Sequence, residues 1–287
     1  MQPNQRNTTL PFVFAGALVS LFVLNIAIGS TSIPLSQLLN SLFLGDGEYT
    51  AIVWQFRLPK AATCVLAGSA LGLSGLLMQT LFRNPLAGPD VLGLSSGASL
   101  FVAFLLLGGH TLGQLILFSS PWSIAIAASI GSGLVFLALL IIARKVTDNA
   151  SLLIIGLMVA AVVSSLVAVL QYVSRAEDLQ AFMIWALGSV GSTGWPEIGV
   201  IAALVGIGTT IAFFQVKSIN GLLLGDNYAH SIGVDVRKTR FWLVTATSLM
   251  TGVVTAFCGP IAFAGLAVPH LVRMTTHTTN HRALIPL

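Results

Sequence analysis

Gly93-Leu94-Ser95-Ser96-Gly97 spells G-x-S-x-G, the pattern that in hydrolases lifts a nucleophilic serine out of a strand-to-helix turn. Here Pro89 lies just upstream and a long apolar run follows, so Ser95 opens a membrane helix rather than leaving a strand. Small-residue packing accounts for it better than hydrolysis. His277 and His281 are four apart, the spacing at which two imidazoles on one helix face share a metal. The intervening Thr278, Thr279 and Asn280 are poor helix formers and no third ligand is evident, so no metal site is expected. His110 and His230 stand alone in loops. Gly188, Gly191 and Gly194, between Trp185 and Trp195, break a helix rather than cradle a nucleotide, and the interfacial aromatics bracket an irregular turn. No G-x-x-x-x-G-K-[ST] loop occurs, so the chain lacks the usual means of hydrolysing ATP.

The elements that hold these residues follow from composition. Of 287 residues, 55% are hydrophobic and only 8% charged, and mean hydropathy is +0.93. A soluble domain carries roughly 25% charged residues, which excludes a soluble enzyme. Four surplus positive charges with no basic stripe exclude a nucleic-acid partner. Disorder requires low hydrophobicity and fails as well. Cys64 and Cys258 both lie in apolar stretches and read as small buried hydrophobes. What remains is a polytopic, all-α transmembrane helix bundle bathed in membrane lipid.

A bilayer core of about 30 Å needs roughly 20 apolar residues per helix. Long spans are predicted at about 11–28, 61–81, 91–107, 121–143, 150–171, 197–214 and 241–258, with a shorter eighth candidate at 261–273. With the N-terminus inside, ten of the thirteen Lys and Arg residues fall on the cytoplasmic side, and Arg57, Lys60 and Arg175 fall outside. Asp46, Glu48, Glu177, Asp178 and Glu197 share that outer side. Gly68, Gly72 and Gly75 in the second span, and Gly93 with Gly97 at the start of the third, allow close helix approach.

No Asp, Glu or His marks the middle of a span, where ion-coupled transporters place their working groups. Uphill transport would therefore draw energy from a partner, although a passive channel would have equally clean spans; the rival reading is a channel or secondary transporter that works without an ATPase. Residues 220–240, NGLLLGDNYAHSIGVDVRKTR, form a glycine-punctuated inner loop. Leu222, Leu223, Leu224, Ala229, Ile232 and Val234 give it apolar contacts, and about 225–234 is predicted as a short helix ended by Gly233. Such a surface fits docking of a cytosolic protein.

Residues 56–100, FRLPKAATCVLAGSALGLSGLLMQTLFRNPLAGPDVLGLSSGASL, closely resemble the permease subunits of ABC importers for iron-siderophores, haem and cobalamin. IWALGSVGSTGW at 184–195, the inner loop at 220–240 and GPIAFAGLAVPHLVR at 259–273 agree. The resemblance implies a single transmembrane domain over 1–287 in the bacterial inner membrane, with no cofactor or metal of its own. It also implies a second permease copy (homodimer or heterodimer), cytosolic ATP-binding subunits below and an extracytoplasmic substrate-binding protein above. Arg57 and Lys60 occupy the family's positions for meeting acidic residues of the binding protein. Asn84, Pro85, Leu86 and Ala87 match residues near the inner gate. Gly221, Leu222, Gly225, Ala229, Ile232, Gly233 and Val234 match the ATPase-coupling surface. Family members carry ten helices and continue past the element matched by His281 to Pro286, so about eight are expected here. The expected cargo is an iron chelate, with haem or cobalamin as the alternative.

Overall fold

The computed structural model describes residues 6–45, 47–108, 120–146 and 149–287. Asp46 and His110, and the side chains of Arg6, Arg144 and Lys145, lie outside that description. Every regular element among the described residues is helical. In chain order these are α1 (Arg6–Ala27), α2 (Leu35–Phe43), α3 (Thr50–Ile52), a π-helical turn (Val53–Arg57) and α4 (Leu58–Leu81). A 3₁₀ turn (Pro89–Leu92) precedes α5 (Leu94–Leu107), followed by α6 (Pro121–Lys145), α7 (Asn149–Val173), α8 (Ala176–Ala186) and α9 (Trp195–Phe214). Two short helices, α10 (Val216–Leu222) and α11 (Asp226–Ser231), lead into α12 (Val236–Cys258), α13 (Ala264–Thr276) and α14 (His281–Leu284).

Among the described residues, six stretches are long and apolar enough to cross a membrane: Thr9–Ala27, Thr50–Leu81, Trp122–Ile142, Ala150–Val173, Trp195–Phe214 and Val236–Cys258. They match six of the seven long spans expected from the sequence. The seventh, 91–107, becomes the 14-residue α5, which at 1.5 Å per residue covers about 21 Å and falls short of the bilayer core. The eighth candidate likewise becomes α13, of 13 residues.

Helices α4 and α12 form the centre, and α1 and α7 present apolar faces outward. Packing on α4 is set by its small residues. A methyl group on Gly75 would overlap the Gly265 carbonyl, so α4 and α13 meet backbone to backbone. Gly97 on α5 and Gly131 on α6 make a second approach of this kind. Gly68, by contrast, faces open space.

The two short helices begin inside the bundle. Non-helical residues 259–263 lead into α13, whose first turn lies beside the middle of α4, and the Pro89 ring packs directly on Gly265. Gly88 abuts Leu266, so the 3₁₀ turn before α5 meets the start of α13. Irregular backbone at this depth is tolerated because protein surrounds it. The turn at 187–194 is non-helical, as the glycines there predict. Ser189 N–H donates to the Cys258 carbonyl at 2.7 Å, and the Thr63 and Thr193 hydroxyls are 2.6 Å apart.

Candidate functional site

The polar groups gather at the two ends of the bundle. One end carries Arg57 and Lys60. The last residues of α1 leave backbone carbonyls without helical partners, and Arg57 reaches them. Its Nη1 donates to the carbonyls of Ile26 at 2.7 Å and Ala27 at 3.0 Å, and its Nη2 donates to the Thr31 carbonyl. Arg57 is only 7% exposed. Arg57 is expected to meet an outside partner; within this chain its guanidinium joins carbonyls at and just beyond the end of α1, whose negative dipole end favours a cation there. Lys60, three residues on, is exposed and remains available. Trp54 and Trp195 flank the pair; Trp195 Nε1 donates to the Trp54 carbonyl at 2.8 Å.

The other end is built around the last turn of α4. Arg83 follows it in the left-handed region, with φ 48°, where helices usually place glycine. Arg83 N–H donates to the Thr80 carbonyl and Asn84 N–H to the Gln79 carbonyl, which closes the helix. Asn84 Oδ1 then accepts from Leu86 N–H at 2.9 Å, folding Asn84–Ala87 into a tight turn. In that turn Pro85 and Leu86 are exposed, Asn84 is half-buried and Ala87 is fully buried.

Residues 216–236 lie against this turn. The helix expected over 225–234 is shorter, Asp226–Ser231, and Gly233 follows it with φ 83°. Gly225 has φ 108° and ψ 158°, a conformation essentially reserved for glycine. Gly221, Leu222 and Ala229 are buried; Val234 is half-buried and packs with Ile232 on Gly221. Ile232 and Gly233 are exposed. Leu224 before α11, Tyr228 on it and Ile232 after it are respectively 67%, 47% and 53% exposed, so this segment presents apolar side chains beside the charged rim. Tyr228 was not singled out from the sequence, because one aromatic in a polar loop carries no distinguishing pattern.

Arg83 Nη2 meets Asp226 Oδ1 at 3.0 Å, and Arg240 Nη2 stands 4.0 Å from Asp226 Oδ2. Thus α11, the start of α12 and the end of α4 share one carboxylate. Burial pulls the His281 imidazole pKa down to about 4, with the Arg273 charge as a second cause. Arg273 Nη1 donates to Gln79 Oε1 at 2.7 Å. Gln79, Thr80, Arg83, Asn84, Arg273 and His281 help line a cavity of about 280 Å³ at this end.

Ser95 Oγ donates to Asp90 Oδ1 at 2.6 Å, and Ser95 lies in the first turn of α5. His277 ends α13 in the left-handed region while His281 opens α14, so the two do not share a helix face. Among the described residues no three His, Cys, Asp or Glu side chains cluster as a metal site.

A multi-pass helical bundle with short helices starting in its interior and a glycine-punctuated segment at one end has the form of a transport permease. Residues 17–287 match the FecCD transport family, and the chain belongs to that family. It is 34% identical over 280 residues to the hemin transport system permease protein HmuU of Yersinia pestis, covering 96% of this chain and 82% of that one. It is 37% identical over 235 residues to the vitamin B12 import system permease protein BtuC of Salmonella typhimurium, covering 82% and 69%. A solved metal-chelate type ABC transporter in an inward-facing conformation superposes with a TM-score of 0.85 at 25% identity, over 97% of this chain and 85% of that chain. The chain is accordingly an ABC-importer permease of the bacterial inner membrane.

Proposed function

We propose that this chain is the membrane-spanning subunit of an ATP-driven importer that moves an iron chelate of the siderophore class inward, between two permease copies. The observation that carries the reading is the joining of α11 to the end of α4 through Asp226 and Arg83, beside the exposed side chains of Leu224, Tyr228 and Ile232. Cytosolic ATP-binding subunits seat on that segment, and their closure moves α10 and α11. The pull is delivered to the turn at Asn84, Pro85, Leu86 and Ala87, which serves the inner gate. Gly225 and Gly233 give the segment its shape, while Gly221, Leu222, Ala229, Ile232 and Val234 hold it together. Lys60 meets the acidic surface of the extracytoplasmic binding protein, and Arg57 fixes the end of α1 behind it. The Arg83 end faces the cytoplasm because Arg83, Lys217, Arg237, Lys238, Arg240, Arg273 and Arg282 collect there.

Haem or cobalamin is the second reading, favoured by the likeness to a hemin and a vitamin B12 permease. The test is reconstitution with the ATPase and binding-protein subunits in proteoliposomes, followed by ATP-dependent uptake of a radiolabelled ferric siderophore, haem or cobalamin. Accumulation of the siderophore alone supports the first reading. Accumulation of haem or cobalamin alone replaces it with the second, and transport that needs no ATPase overturns both.

A further inference from the structure

His281 is fully buried at the start of α14, yet both of its ring nitrogens have partners on other helices. Nδ1 lies 2.9 Å from Asn220 Oδ1 on α10, and Nε2 lies 2.8 Å from Thr80 Oγ1 in the last turn of α4. The His281 backbone N–H donates to the same Asn220 oxygen at 3.0 Å. The Asn220 amide nitrogen donates to Asn280 Oδ1 at 3.0 Å, which fixes the amide with its oxygen toward the imidazole. A carbonyl oxygen only accepts, so Nδ1 carries the ring proton. A neutral ring then presents Nε2 as an acceptor, and the Thr80 hydroxyl donates to it. The Leu76 carbonyl, 2.9 Å from that hydroxyl, competes for its single proton.

We propose that His281 is a positioning residue that couples α10 to the inner end of α4, so that movement of the ATPase-docking segment is transmitted to the Asn84–Ala87 turn. This rests on the importer reading given above. The linkage is suited to transmission for three reasons. The imidazole is rigid and buried, held at both ends by hydrogen bonds that the surroundings strengthen. The parallel link, Arg83 to Asp226, joins flexible side chains 45% and 30% exposed, where ion pairs are weak. Finally, Thr80 is not a neutral attachment point: its carbonyl receives the Arg83 N–H, so displacing Thr80 displaces the turn that follows.

The experiment uses the permease assembled with its ATPase and binding-protein subunits in proteoliposomes. Uptake of radiolabelled ferric siderophore, haem and cobalamin is measured alongside ATP hydrolysis. Thr80→Val keeps the shape and removes the hydroxyl; Thr80→Ser restores it. His281→Asn keeps a donor toward Asn220 and loses the arm to Thr80. Expected in Thr80→Val and His281→Asn is ATP hydrolysis within about twofold of wild type, with uptake per ATP lowered roughly tenfold, the scale of one buried hydrogen bond left unpaired. The double variant is no worse than either single one, because both remove the same link, and Thr80→Ser behaves as wild type. Full uptake per ATP in Thr80→Val and His281→Asn, with an active wild type, overturns this inference alone. So does failure of Thr80→Val to assemble where Thr80→Ser assembles, since the hydroxyl would then serve folding. A wild type with no ATP-driven uptake of any of the three cargoes overturns the importer reading and this inference with it.

Discussion

Arg83 and Asp226, 143 positions apart in sequence, meet at 3.0 Å and join the end of α4 to the first turn of α11. Arg83 holds a left-handed backbone at φ 48° to do so, at a cost of roughly 1–2 kcal/mol that glycine would not incur. Stability and transport should therefore separate at this residue. Arg83→Gly is expected to leave the thermal midpoint unchanged or higher while lowering uptake per ATP hydrolysed. Arg83→Ala keeps the strained backbone and should lower uptake without any gain in midpoint. Equal transport by Arg83→Gly and wild type would remove the ion pair from the coupling route.

The Lys60 end gives a different separation. Arg57→Ala leaves the carbonyls of Ile26, Ala27 and Thr31 without their donor, and a buried unpaired group costs about 1–3 kcal/mol. Lys60 is exposed, so Lys60→Glu should leave stability within about 0.5 kcal/mol of wild type and the midpoint nearly unmoved. Binding-protein affinity should respond the other way: Lys60→Glu weakens it, while folded Arg57→Ala protein retains most of it. Affinity of the purified complex for its binding protein, read with thermal midpoints, distinguishes the roles. Normal affinity in Lys60→Glu would end the docking assignment.

Two glycines on one helix carry opposite expectations. An alanine methyl at Gly75 would run into the Gly265 carbonyl, and neither backbone can yield without parting α4 from α13. Overpacking of this kind costs typically 1–3 kcal/mol or more. Gly68 has nothing within 4 Å of the same methyl position, so Gly68→Ala should be neutral or mildly stabilising through better helix propensity. Thermal midpoints of the two variants in one detergent make the comparison, and equal values would contradict the backbone contact.

The sequence carried what depends on local composition. Six spans followed from apolar length, the break at 187–194 from its glycines, and the short helix before Gly233 from its punctuation. Helices α2, α8 and α10 are too short for a 20-residue apolar window to register, and α5 and α13 are apolar without being long enough to span. The pairings were hidden for a more basic reason. Spacing along the chain specifies which residues share a helix face, whereas Thr80 and His281 are 201 positions apart and meet only when α4, α10 and α14 converge. His281 accordingly read only as a loop histidine four residues from His277, with nothing in its spacing to indicate a partner on α4 or α10. Nothing local announces, likewise, that the end of α1 returns to Arg57.

The burial of His281 also sets a pH dependence. In the unfolded chain an imidazole titrates near 6.5; in the fold, burial and then the Arg273 charge hold it at about 4. Above about pH 6.5 both states keep the ring neutral and stability does not change on its account. Between about 6.5 and 4 the unfolded chain takes up a proton that the folded one refuses, so stability falls as the pH drops, and below 4 the loss levels off. By pH 5.5 the loss is on the order of 1 kcal/mol. His281→Asn should remove it, so that lowering the pH from 7.5 to 5.5 depresses the thermal midpoint of wild type more than that of the variant, with all other histidines common to both. Arg273→Gln raises the folded pKa toward 6.5, so its decline should begin at the same pH and level off sooner. If wild type and His281→Asn lose the same stability between those two pH values, the imidazole is not held neutral by its surroundings.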